Sequence, residues 1–187
     1  MKAIKTLRLL INVLFFTLIA VIIFHLLFWP IVYFYSDSLP FYLQGFRMIL
    51  NSFSTLFDWK FLLVPLSTAI NFILFVLSIF YLRKCIKPFI VSDFYTEVVT
   101  KNLKKSGILF VFIGLSTILI QLISTIYVQN VTQNIIEPNM IISFLNLLAA
   151  AIDLKSTFLI IIGLFFLLFS ESFKNAETLK QENDLTI

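Results

Sequence analysis

The sequence predicts an all-α, polytopic membrane protein with four transmembrane helices, and three observations predict it. Hydrophobic residues make up 60% of the 187 and charged residues 13%, against roughly a quarter charged in a soluble domain. The mean hydropathy is +1.01, and 23 residues are Phe. Charge is missing from long stretches and gathered in short ones, which is the pattern of spans separated by loops. Four apolar runs reach the roughly 20 residues needed to cross a bilayer core as helix: Leu9–Trp29, Phe61–Leu82, Gly107–Tyr127 and Thr157–Phe173. Helices are the expected element because hydrocarbon leaves no other partner for backbone polar groups.

The first run follows "MKAIKTLR", which resembles the start of a secretory signal. Its apolar stretch is too long for one, and no small-residue cleavage site follows, so it is expected to stay as the first helix. After Pro40, apolar residues recur at Phe46, Ile49, Leu50, Phe53, Leu56 and Phe57. That helical spacing predicts a short amphipathic helix lying at the outer interface, with proline in its first turn.

The second run leads into "RKCIKPFIVSDFYTEVVTKNLKKS", residues 83–106, expected as a cytoplasmic connection. Pro88 disfavours helical geometry at Lys87, so the second helix is expected to stop there. Ser92 or Asp93 then caps a short helix that runs along the membrane into the third span. After Pro138, Ile141, Leu145, Leu148 and Ile152 predict a second outer amphipathic helix. The fourth run gives way to a polar tail, residues 174–187, read as a solvated helical extension in which Glu177 and Lys180 can pair.

Orientation follows from the cations. Lys2, Lys5, Arg8, Arg83, Lys84, Lys87, Lys101, Lys104, Lys105, Lys174 and Lys180 fall on one side, eleven of the 14 Lys and Arg. The positive-inside rule places that side, and both termini, in the cytoplasm of an inner-membrane protein. Basic residues in residues 83–106 favour an anionic inner leaflet.

The chain also contains an internal similarity. "LNSFSTLFDWK" (50–60) aligns with "LNLLAAAIDLK" (145–155), sharing Leu, Asn, Asp and Lys, each just before an even-numbered span. "KAIKTLRLL" and "KNLKKSGIL" likewise precede the odd-numbered spans. Two parallel span-loop-span halves are the arrangement expected from this.

The "LRKCIKPF" turn, the segment leading into "KKSG" and the terminal "ENDLTI" resemble the prokaryotic membrane family catalogued as domain of unknown function 2975. The chain differs from that family's usual pattern by having Ile86-Lys87 where a Gly precedes the Pro-Phe pair, and Ile90-Val91 where a Thr follows it. The resemblance implies a four-helix inner-membrane protein, with some members encoded beside small helix-turn-helix regulators.

Catalytic chemistry finds little footing. One His and one Cys make no metal cluster, and four Gly build no phosphate loop, so no metal, cofactor, catalytic residue or direct nucleic-acid contact is expected. Two groups of candidate residues stand out. His25, Asn71 and Gln121 are polar within the spans and are expected to form an intramembrane polar cluster, hydrogen-bonding between helices. Glu182, Asn183, Asp184, Leu185, Thr186 and Ile187 place two apolar side chains and a terminal carboxylate beside acids, a candidate partner-binding element. The expected function is therefore non-enzymatic: a sensor or anchor for a cytosolic, transcriptional regulator. A small transporter or channel, as a homo-oligomer, is the alternative.

Overall fold

The computed structural model describes residues 2–34, 59–90, 95–132, 140–151 and 153–185. Among these residues the chain is all helical: α1 (Lys2–Phe34), α2 (Trp59–Ile90), α3 (Glu97–Thr132), α4 (Met140–Ala151) and α5 (Leu154–Leu185). α1, α2, α3 and α5 are long and apolar enough to cross a membrane. α4 falls where a helix is expected after Pro138. The helix expected after Pro40 lies outside the described residues.

Each long helix outruns its apolar stretch, because hydropathy marks where charge begins and not where backbone hydrogen bonding ends. The expected break at Lys87 does not occur: α2 continues through Pro88 to Ile90. Proline removes one N–H, a loss a helix tolerates when neighbouring elements hold it. Here Cys85 and Ile86 are buried just before Pro88, and Phe89 sets its ring edge against Phe173. α3 then starts at Glu97 rather than near Ser92 or Asp93, which lie outside the described residues. Thr96 caps it, its Oγ1 accepting the Val99 N–H at 3.4 Å, and Glu97 in the first turn suits the helix dipole. The short helix expected in the connection and the third span are thus one element.

The long helices pack in the order α1, α2, α3, α5, each against the next, with α4 against α3. Two antiparallel seams meet on α3. On one, Thr100, Gly107 and Gly114, seven residues apart, face Ser170, Gly163 and Ser156 of α5. The Ser170 hydroxyl donates to Thr100 O at 2.9 Å. A Cβ on Gly163 would stand 2.7 Å from Gly107 O, and one on Gly114 2.8 Å from Ser156 O, so only glycine lets the backbones approach this closely. The other seam uses the residues one step earlier. Val99 and Ser106, both buried, face Cys85 and Ser78 of α2, and further along Ser116 and Thr117 meet Asn71. Ser106 Oγ donates to Ser78 O at 3.2 Å, and both serines are fully buried.

These registers bring the start of α1 and the end of α5 to the same end of the molecule, here the terminal end. The opposite, distal end holds the starts of α2 and α5. Outside the seams, large apolar side chains are exposed: Leu26 at 68%, Leu119 at 59% and Leu168 at 62%. That distribution inverts a water-soluble bundle, whose exposed faces are polar.

Candidate functional site

A cavity of about 710 Å³ opens at the distal end between α2, α3, α4 and the start of α5. Its wall is polar for so apolar a chain. α2 contributes Thr68 and Asn71, while α3 contributes Thr117, Gln121, Ser124 and Thr125. Asn146 of α4 and Asp153, which precedes α5, complete the polar lining beside Val64, Ile120 and Ala149.

Local geometry fixes what these groups present. Ser and Thr inside a helix donate back to the carbonyl one turn earlier. Thr68 donates to Val64 O at 2.8 Å, Thr117 to Ile113 O at 2.7 Å, Ser124 to Ile120 O at 2.7 Å and Thr125 to Gln121 O at 2.8 Å. The floor is a linked cluster in which Asn71 Nδ2 donates to Thr117 Oγ1 at 3.2 Å and accepts from Ser116 Oγ at 2.7 Å on Oδ1. Asp153 caps α5, its Oδ2 accepting the Ser156 N–H at 3.0 Å and the Ser156 hydroxyl at 2.6 Å. Gln121 and Asp153 share this wall. Gln121 Oε1 is left buried with no hydrogen-bond partner.

Of the three polar residues expected to cluster, Asn71 and Gln121 share this cavity wall. His25 stands apart from them. It lies on α1, which among the described elements packs on α2 alone, and its exposed ring bonds Val21 O at 3.0 Å. Distance along a helix predicts depth, whereas meeting depends on which face each residue occupies. Sequence reasoning missed Ser124, Thr125 and Asn146. The stripe Thr117, Gln121, Ser124, Thr125, at i, i+4, i+7 and i+8, was the available signal.

Below the floor the helices close. Phe75 meets Phe110 edge-on, the two serines and two glycines pair further down, and Phe173 meets Phe89 and Tyr95 at the terminal end. Cations around that end lie over aromatic faces: Arg83 over Phe15 and Phe16, Lys84 over Phe80, Lys105 over Tyr81. Cys85 is buried, its Sγ directed at Tyr81 O and Val99 O. Among the described residues no three His, Cys, Asp or Glu come together as a metal site.

Of the tail, Glu182 and Asn183 are exposed on α5, Asp184 and Leu185 continue its backbone helix, and Thr186 and Ile187 lie outside the described residues. The register that pairs Thr100 with Ser170 sets Glu97, the first residue of α3, opposite Phe173. Residues 174–185 therefore run beyond α3 as a helical rod of roughly 18 Å. No family model, curated protein or solved structure matches this chain.

Proposed function

We propose that this chain is a non-enzymatic, multi-pass protein of the cytoplasmic inner membrane, with both termini cytoplasmic, that anchors a cytosolic regulator through the projecting end of α5. The observation that carries this reading is the helical continuation of α5 past Phe173. At about 48 Å, α5 is longer than the roughly 30 Å hydrocarbon core, so its apolar part spans while its polar end stands clear. The helix carries Glu177, Lys180 and Glu182 past Phe173 in fixed order, as recognition by a partner requires. Its net negative charge suits a partner with a basic face, and a small helix-turn-helix regulator is the partner implied by the resemblance to domain of unknown function 2975.

The inward placement of the terminal end rests on the basic asymmetry, reinforced by Arg83, Lys84 and Lys105 over aromatic rings there. Two parallel halves are supported by the matched stretches: α2 begins at Trp59 and α5 at Leu154, each one residue after the shared Asp. Asp58 itself lies outside the described residues. A small oligomeric transporter or channel is the second reading, favoured by the polar cavity. The packed seams and aromatic cluster below that cavity weigh against a continuous path.

Deletion of residues 182–187 tests the anchor. The truncated chain should insert and keep its helix content, while affinity purification in mild detergent should lose a cytosolic protein that the full chain retains. Equal retention by both chains, or none by the full chain, would overturn the proposal.

A further inference from the structure

We infer that the distal cavity is a binding site for a small organic cation, a protonated amine carrying a short apolar body. The argument begins with which hydrogen atoms are already committed. Thr68, Thr117, Ser124 and Thr125 each direct their single hydroxyl hydrogen to a carbonyl of their own helix. What these side chains hold toward the cavity is oxygen lone pairs. A wall rich in hydroxyls is thus an acceptor wall, the opposite of what an anion needs.

Charge points the same way. Asp153 is the one ionisable group among the described lining residues, and no Lys or Arg there offsets it. Its capping bonds engage Oδ2, so Oδ1 keeps its acceptor capacity. Among the described residues no Lys or Arg lies within ion-pair distance of this carboxylate. The carboxylate stands at the cavity with no counter-cation among the described residues, and a bound ammonium would supply that charge.

Gln121 adds a second, independent observation. Its Oε1 is buried and unpartnered, and the residue lines the same cavity. Such an atom forfeits the hydrogen bond it had in water, and a donor arriving in the cavity restores it after a small rotation of the side chain. An ammonium group carries three N–H donors, suited to a carboxylate, an amide oxygen and a hydroxyl oxygen together. Val64, Ile120 and Ala149 leave an apolar surface for a short carbon chain. A volume of about 710 Å³ suits an organic amine rather than a bare metal ion, for which no ligand cluster is present among the described residues.

The test uses the full-length protein in uncharged maltoside micelles, titrated calorimetrically with n-butylammonium chloride, n-butanol and sodium n-butyrate. Saturable binding is expected for n-butylammonium alone. Asp153→Asn should weaken it about tenfold or more, since it removes the charge while asparagine still caps α5. Gln121→Leu should weaken it about threefold, with both variants matching the parent in circular dichroism and melting temperature. Removal of residues 182–187 should leave binding unchanged, which separates this site from the anchor. Butyrate or butanol binding as tightly as the amine, no saturable binding of any of the three, or full affinity in Asp153→Asn would overturn the assignment.

Discussion

The two outer helices of the row, α5 and α1, are attached in different ways. α5 meets α3 through Ser156, Gly163 and Ser170, side chains small enough to bring backbone against backbone, with Phe166 against Phe110 beside them. α1 meets α2 through Phe15 against Phe80 and through the Arg83 guanidinium over Phe15 and Phe16. Large side chains hold the axes apart and can rotate, so the α1 contact is adjustable where the α5 contact is not. The difference teaches what holds apolar helices together where surrounding solvent is equally apolar. Burial of carbon then contributes little, and close approach with aligned dipoles and hydrogen bonds contributes more.

The strongest way to break this contrast is Gly163→Leu. Its Cβ meets Gly107 O at 2.7 Å and Val111 Cγ2 at 2.7 Å, so α3 and α5 must separate along their whole contact. A loss of about 3 kcal/mol is expected in sodium dodecyl sulfate titrations from mixed micelles. Stability equal to the parent chain would show that the seam contributes nothing. Asn71→Leu probes the intermediate case on α2, removing the bonds with Ser116 and Thr117 at similar volume; about 1 kcal/mol should be lost in the same titration. The smallest effect should come from Arg83→Gln at the α1 contact, about 0.5 kcal/mol, with the melting midpoint of the α3–α5 pair unmoved. An Arg83 variant more damaging than Asn71→Leu would reverse the ranking.

Sequence periodicity and charge carried the architecture a long way. The four long helices were legible because each is apolar over a length that few other elements need, and α4 because its apolar residues recur at helical spacing. The seams were not, although the seven-residue spacing of Thr100, Gly107 and Gly114, and of Ser156, Gly163 and Ser170, is plain once the pairing is known. Hydropathy averages over a window, and a glycine or serine every seventh residue hardly changes the mean. Pro88 shows the opposite failure, a local rule applied where tertiary packing prevails. In the cavity, Asn71 and Gln121 were visible as polar residues in apolar runs. Asp153 was visible only as part of a repeated stretch, since nothing in one dimension tells that the start of α5 folds back beside the end of α3.

The order of the seams along the chain sets the order in which the protein can be completed during synthesis. α2 and α3 are adjacent in sequence, so their seam can close as soon as residue 132 has been made. The tighter seam waits for the last helix. Until α5 arrives, Gly107 and Gly114 present a bare backbone groove along α3, the stickiest surface the nascent chain exposes. A chain stalled between residues 132 and 154 lacks α5 and would leave that groove open to the α5 of a finished neighbour, giving a mixed dimer built on the very contact that makes the finished chain stable.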